Sequence, residues 1–222
     1  MYNFSYFKEK DQDKILNFIT ENPFAFLTGG DFLGNHVATQ IPILTEVREG
    51  DLYLQGHIMR NTDHHKTFLE NPNVLAVFTG PHAYVSASWY TNPQIGSTWN
   101  YMSVHTKGVM KFMSNAELIN FMKKLTLKFE GGNDQSPTFY DNLPDAFLSN
   151  MMPAIAGFEI KVDKIDNVFK LSQNRDEASY LNIIVQLQRQ GGNAALVANE
   201  MQKRREEIFP SGTIWDSTKF DS

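Results

Sequence analysis

Three of the six histidines in this chain lie within one stretch, HIMRNTDHHK at residues 57–66, together with Arg60 and Lys66. Imidazole, guanidinium and ammonium groups in such a cluster suit a metal site, a phosphate site or a solvated turn. The three alternatives make different demands on the spacing of these residues, so the spacing is the first evidence to weigh.

The spacing of the histidines argues against a metal site. His64 and His65 are adjacent, so their side chains diverge on a helix and do not easily share one ion. His57 lies seven residues before His64, with an extended segment between them. The pattern HExxH does not occur, and no other histidine pair has the spacing of metal ligands. We therefore predict no bound metal.

A phosphate site agrees better with the order of residues in this stretch. A strand is predicted to end near His57. A turn with Arg60, Asn61 and Thr62 follows, and then a short helix with Lys66 in its first turn. The planar fork of arginine matches phosphate oxygens, and a helix start offers free backbone N–H groups. A solvated turn with polar residues at a helix cap remains an alternative on these residues alone.

Composition favours a soluble, cytoplasmic, single-domain protein. The 222 residues are 41% hydrophobic and 13% aromatic, which allows a sizeable and β-rich core. The absence of cysteine excludes disulfides and thiolate metal sites. The net charge of −5 and the lack of a basic stripe, apart from KRRE at 203–206, argue against DNA binding by bulk electrostatics. No apolar run is long enough for a signal core or a membrane span, so we expect no membrane contact.

Alternating apolar runs predict an antiparallel sheet. The first three runs are separated by GDFLG and REGD, whose Gly and Asp residues are typical of hairpins. The run VLAVFTG is continuously apolar, as expected for a strand that is buried on both faces. The predicted strands are 24–29, 35–44, 51–58, 74–80, 83–90, 98–113 and 156–172.

Helical periodicity is clearest after Ser114. Ser114 and Glu117 form a capping-box pattern, and the pair of glycines at 131–132 ends the predicted helix. The C-terminal tail is predicted to form two helices that are joined at GGN, residues 191–193. The predicted helical stretches are 11–21, 62–70, 114–130, 141–151 and the two of the tail, within 176–209.

Several segments resemble a known family. LYLQGHIMRNTDHHKTFLENPNVLAVFTG, residues 52–80, is similar to the flavin-binding stretch of the FMN-binding split-barrel superfamily, with its strand, polar turn, short helix, Asn-Pro pair and apolar strand. FTGPHAYVSASWY (78–90), TWNYMSVHTKG (98–108) and KLSQNR (170–175) resemble signature segments of the PaiB family, the FMN-binding negative transcriptional regulators. The resemblance covers about residues 1–205.

The resemblance implies a mainly β fold, a six-stranded antiparallel FMN-binding split β-barrel with peripheral helices. Residues 1–175 would form the split-barrel domain, and the helical C-terminal tail at 176–209 would pack on the barrel as part of the same domain. Members of the superfamily are typically homodimers that bind FMN at the subunit interface. The chain departs from the family pattern at residues 61–64, where it has Asn-Thr-Asp-His instead of an Asn-Pro-His-like or Asn-Pro-Gln-like run.

The same resemblance implies which residues bind the cofactor. The turn after the third predicted strand would hold the phosphate, and the SASWY and TWNY segments would approach the flavin. Residues of KLSQNR would make contacts across the dimer interface. For the aromatic residues, a place in the core or the dimer interface is the alternative. The cofactor-binding candidates are His57, Arg60, Asn61, Thr62, Lys66, Ser86, Ser88, Trp89, Trp99, Asn100, Gln173 and Arg175.

Three functional hypotheses follow from the resemblance. The first is a PaiB-like, FMN-binding negative transcriptional regulator that acts as a homodimer on DNA or on a regulatory protein partner. The alternative is a flavin-dependent oxidoreductase, of the NAD(P)H:flavin reductase or pyridoxamine-phosphate-oxidase type, in which the cofactor supplies the chemistry. The third is a haem-binding split barrel, with His57, His64, His65 and His105 as candidate ligands. No nucleophile–base pair or carboxylate dyad identifies catalytic residues.

Overall fold

The computed structural model describes residues 1–212 together with residues 216 and 220, and it confirms the mainly β fold class. Within these residues seven strands form one antiparallel sheet. The strands are β1 (Phe24–Gly30), β2 (His36–Pro42), β3 (Leu44–Arg48), β4 (Asp51–Met59), β5 (Asn73–Val85), β6 (Thr98–Phe112) and β7 (Ile155–Lys170). Their order across the sheet is β2-β1-β5-β6-β7-β4-β3.

The sheet has seven strands where the resemblance implied six, and three of the predicted strands are divided or joined. The run at 35–44 divides because the Ile43 N–H donates to the Pro23 carbonyl, at 2.8 Å, instead of continuing the ladder. This leaves β2 and β3 as separate strands. The runs at 74–80 and 83–90 instead join through Pro81 into the single strand β5. A 3₁₀ turn at Ala87–Trp89 then follows where a strand was predicted.

Six α-helices accompany the sheet in the described part of the chain. The predicted capping box is confirmed, since Ser114 Oγ accepts from the Glu117 N–H and the Glu117 carboxylate accepts from the Ser114 N–H at 2.7 Å. None of these helices is both long and apolar enough to cross a bilayer. The helices are α1 (Gln12–Glu21), α2 (Asp63–Glu70), α3 (Asn115–Phe129), α4 (Asp145–Met151), α5 (Glu177–Gln190) and α6 (Gly192–Ile208).

The chain divides into two compact units. The second unit comprises residues 19–78 and 105–165. Gly108 is required there, because a Cβ at this position would lie 2.1 Å from the Lys161 carbonyl oxygen. Part of its core is an apolar cluster around α3, formed by Leu44, Leu118, Phe121, Leu125 and Ile155.

The first unit comprises residues 1–18, 79–104 and 166–222, as far as these are described. Its helical part is the tail that was predicted at 176–209. Asp176 caps α5 by accepting from the Ser179 N–H, and the buried Tyr180 hydroxyl donates to the Met201 carbonyl at 2.8 Å. Because Tyr180 lies on α5 and Met201 on α6, this bond holds the two tail helices together.

Candidate functional site

The turn between β4 and α2 begins at a firmly anchored arginine. The Arg60 N–H donates to the Ala154 carbonyl at 2.8 Å, and its side-chain Nε donates to the Ile155 carbonyl at 2.9 Å. Among the described residues, no hydrogen-bond partner is found for the two terminal nitrogens of the guanidinium group. The turn therefore presents a half-buried guanidinium of fixed orientation, whose two terminal nitrogens can donate hydrogen bonds to a ligand.

The start of α2 is already capped by its own side chains. Thr62 Oγ1 accepts from the His65 N–H and donates to the Met59 carbonyl at 2.9 Å. The Asp63 carboxylate accepts from the His64 N–H at 2.7 Å, and this bond lowers the pKa of Asp63. Two first-turn amides that could bind an anion are therefore occupied. The positive charge at this turn comes from Arg60 and from the exposed Lys66.

His65 holds the turn in shape. Asn61 has a left-handed backbone, with φ of 65°, and its N–H donates to His65 Nδ1 at 3.3 Å. The His65 ring is 7% exposed and packs edge-on against Phe112, with the centroids 5.2 Å apart. Burial and the nearby Arg60 charge lower the pKa of His65. Sequence reasoning considered His65 only as a metal or haem ligand, although its position four residues after Asn61 is compatible with this local bond.

His57 contributes an unsatisfied buried atom. Its Nδ1 is buried and has no hydrogen-bond partner among the described residues. The ring lies 6.1 Å from the Phe121 ring, and burial lowers the pKa of His57. A neutral imidazole with one unpaired nitrogen can accept a hydrogen bond from a ligand or donate one to it, depending on its tautomer.

The SASWY and TWNY candidates lie in the first unit and differ in their availability. Ser86 Oγ and Ser88 Oγ are 2.8 Å apart and bond to each other. Trp89 is half-buried, and its carbonyl accepts from Asn182 Nδ2 at 2.8 Å. Trp99 is 54% exposed and therefore has free surface for a ligand or a second subunit.

The KLSQNR segment forms a strained loop after β7. Ser172 has a left-handed backbone, with φ of 63°, and its hydroxyl donates to Oδ1 of the fully buried Asn100 at 3.0 Å. The Gln173 amide bonds to the backbone of Phe169 and Leu171 in its own loop. Asn100 and Gln173 thus position the loop. The Arg175 guanidinium lies over the Tyr90 ring, 4.8 Å from its centroid.

The candidates therefore form one group in each unit, and each group is held together by contacts inside its own unit. No three His, Asp or Glu side chains of the described residues are grouped so as to hold a metal ion. The second-unit group is His57, Arg60, Asn61, Thr62 and Lys66, and the first-unit group is Ser86, Ser88, Trp89, Trp99, Asn100, Gln173 and Arg175.

Comparison with known proteins places this geometry in a family. A family model described as "Putative FMN-binding domain" matches residues 1–164. The chain is also 35% identical over 205 residues to protease synthase and sporulation protein PAI 2 of Bacillus subtilis (strain 168), which covers 92% of this chain and 98% of that protein. The chain belongs to the PaiB family of FMN-binding domains.

Two solved structures share the fold of this PaiB-family chain at low sequence identity. The FAD and heme binding protein from Mycobacterium smegmatis has a TM-score of 0.56 and 16% identity, and the match covers 73% of this chain and 72% of that chain. The flavocytochrome Anf3 from Azotobacter vinelandii has a TM-score of 0.55 and 16% identity, and the match covers 82% of this chain and 78% of that chain. At this identity the likeness concerns the fold alone.

The residues of the PaiB-family turn fit the phosphate of FMN by charge. Arg60 and Lys66 provide two cations, and the only nearby first-turn carboxylate, that of Asp63, is already bonded to His64. A flavin, when bound, supplies redox chemistry that no side chain of this turn has.

Proposed function

We propose that this protein is an FMN-binding homodimer that acts as a PaiB-like negative transcriptional regulator. The observation that supports flavin binding most directly is the Arg60 turn in a chain of the PaiB family. There the half-buried guanidinium donates to the Ile155 carbonyl, and the backbone N–H donates to the Ala154 carbonyl. Arg60 and Lys66 hold the phosphate, and His57 contacts the ribityl chain or the ring. We assign a contact with a flavin or a second subunit to Ser88 and Trp99, which are the exposed candidates of the first unit.

The regulatory effect is proposed to be indirect, through a protein partner or a bound ligand. The basic residues of α6 would be needed on a DNA-binding face, but each pairs with a carboxylate. Lys203 bonds to Glu200, Arg204 to Glu9 and Arg205 to Glu177, at 2.6, 2.6 and 3.0 Å. A recognition helix normally keeps such charges for phosphates. The tail therefore supports a structural role better than a DNA-binding role.

The first experiment is a visible absorption spectrum of the purified protein, before and after FMN is added and the excess removed. A retained flavin spectrum together with a dimeric mass by light scattering supports the proposal. A haem Soret band would replace it with the haem alternative. A colourless protein that retains no FMN contradicts flavin binding.

A second measurement separates the regulator from the oxidoreductase. The FMN-loaded protein is incubated with NADH or NADPH, and flavin bleaching is followed together with steady-state turnover. Sustained turnover favours the flavin-dependent oxidoreductase. No turnover, combined with the selective capture of genomic fragments or of one protein partner, favours the regulator.

A further inference from the structure

A cavity in the first unit lies beneath the aromatic residues at the N-terminus. Its volume is about 300 Å³, which is at the lower end of the range for small-molecule sites. The rings of Tyr2, Phe4, Tyr6 and Phe7 line one part of it. The residues 96–98 and the KLSQNR loop line the rest, with Lys170 and Arg175 as its charged members.

The described residues that line the cavity include two cations and no anion. None of these residues is Asp or Glu. Lys170 Nζ donates to the Thr98 hydroxyl and lies 5.4 and 5.9 Å from the ring centroids of Tyr2 and Phe7. Such contacts stabilise a cation but leave its charge in place. The nearest carboxylate in sequence, Asp176, accepts from the hydroxyls of Thr91 and Ser179 instead.

Other half-buried cations of the same unit are neutralised, so this cavity is an exception. Lys8 pairs with Asp166 and Arg204 with Glu9, both at 2.6 Å. Lys170 has a lowered pKa, chiefly because burial disfavours its charge and also because Arg175 repels it. Two uncompensated like charges in a partly buried cavity disfavour the empty state and favour a bound anion.

The loop that presents these cations is also strained. A left-handed backbone is unfavourable for a residue with a side chain, and Ser172 adopts it at φ of 63°. The buried bond from Ser172 to Asn100 holds it there, although the two residues are 72 positions apart in sequence. Strain that the surroundings maintain is typical of functional loops.

We propose that this cavity binds a small phosphate-bearing molecule, with Lys170 and Arg175 on the phosphate and the N-terminal aromatic rings against its body. A phosphate has three terminal oxygens, and the cavity offers the ammonium of Lys170, the planar fork of Arg175 and the side-chain amide of Asn174. Adjacent Tyr90, whose buried hydroxyl has no partner among the described residues, lies under Arg175. The described lining residues of this site all belong to the first unit, and the proposal does not rest on the proposed function.

The test is a calorimetric titration of the purified protein in excess FMN, which fills any flavin site. The probes are inorganic phosphate, AMP and adenosine. Phosphate and AMP are expected to bind, AMP more tightly because its base contacts the rings, and adenosine to bind at least about tenfold more weakly than AMP. Binding of phosphate alone, with AMP excluded, would identify free phosphate as the ligand class. Equal binding of AMP and adenosine, or no binding of any probe, overturns the proposal.

Matched variants locate the binding. Lys170→Met and Arg175→Gln should each weaken AMP binding by about tenfold or more, since each removes a charged donor. Lys10→Met and Arg189→Gln remove exposed charges outside the cavity and should leave it unchanged. If the cavity variants lose FMN binding as well, the cavity is part of the flavin site and the proposal of a separate site is wrong.

A labelling experiment covers the case in which a cavity variant does not fold. The wild-type protein is acylated with and without millimolar phosphate in excess FMN, and labelling at Lys170 and Lys10 is measured by mass spectrometry. Protection of Lys170 by several-fold with none at Lys10 supports the site. Equal labelling of Lys170 with and without phosphate contradicts it.

Discussion

Two loops of this molecule, residues 60–66 and residues 170–175, have the same kind of left-handed backbone turn and differ in their charge. Each comes at the end of a strand, begins with a basic residue and turns at a non-glycine residue with a left-handed backbone. The φ angles are 65° at Asn61 and 63° at Ser172. In each loop one buried polar side chain fixes the turn, His65 in the first case and Asn100 in the second.

The difference lies in what surrounds the cations. The loop at 60–66 includes the carboxylate of Asp63, and the Nε of its cation Arg60 donates to the Ile155 carbonyl. The cavity beside the loop at 170–175 has two cations and no carboxylate among its described lining residues. The comparison teaches that a left-handed turn can be fixed by a neighbour in sequence, as by His65, or by a distant residue, as by Asn100. The affinity of such a turn for an anion depends on the charges that the rest of its unit brings to it.

The largest expected effect is on the first of these loops. Arg60→Ala should weaken FMN binding by about 1.5–3 kcal/mol, the range for hydrogen bonds to a charged group, measured by fluorescence titration. Arg189→Ala, which removes an exposed arginine of α5, is the matched control. If FMN affinity is unchanged in Arg60→Ala, Arg60 does not hold the phosphate, and Lys66 or a second subunit must supply the charge.

The second prediction concerns what fixes the loop at 170–175. Asn100→Ala should lower the free energy of unfolding by about 1–3 kcal/mol, because the buried Ser172 hydroxyl loses its acceptor. Chemical denaturation measures this change, with Asn3→Ala, an exposed position, as control. A loss no larger than that of the control would mean that the left-handed turn does not depend on Asn100.

The third prediction is a pH dependence of stability that arises from His57 in β4 and from His65 in the loop at 60–66. The pKa values of His57 and His65 are lowered from 6.5 in the folded protein, so the unfolded chain takes up protons first as the pH falls. Stability should therefore be full above about pH 6.5 and decline below it, by at most about 1.4 kcal/mol per pH unit for each proton. Denaturation midpoints between pH 7.5 and 5.5 measure the slope.

Histidine variants show which residue causes this decline of stability below pH 6.5. His65→Gln should reduce the decline below pH 6.5, because it removes one of the two groups that resist protonation in the fold. His36→Gln, at an exposed position of β2, should keep the full decline. Identical slopes in all three proteins would show that His65 takes up its proton equally in the folded and the unfolded state, and that the fold does not lower its pKa.

The smallest effect tests the one carboxylate that distinguishes the two loops. Asp63→Asn should tighten FMN binding, by up to about fivefold, because it removes an exposed negative charge beside the proposed phosphate site. Glu70→Gln, an exposed change at the far end of α2, is the control. Weaker FMN binding in Asp63→Asn would place Asp63 among the groups that organise the site.

Much of the helical structure was predictable because its signals are local. The capping box of Ser114 and Glu117 lies within four residues. The Thr62 side chain caps α2 by accepting a hydrogen bond from the His65 N–H, only three residues later. The segment at 52–80 indicated the superfamily, and the segments at 78–90, 98–108 and 170–175 indicated the family, which the family model and the PAI 2 relative then confirmed. What these segments could not provide was the strand count, since the pairing of Ile43 with Pro23 spans twenty residues.

The sequence by itself determined the mainly β class, the starts of α2 and α3 and the family, because capping, periodicity and motif order are written in neighbouring residues. Only the tertiary structure decided that Asn100 holds Ser172, and that Lys170 and Arg175 share a cavity with no carboxylate among its described lining residues. The physical reason is the separation of the contacting residues along the sequence. A charge or a buried hydrogen bond acquires its partner, or lacks one, through contacts between residues that the chain brings together from distant positions.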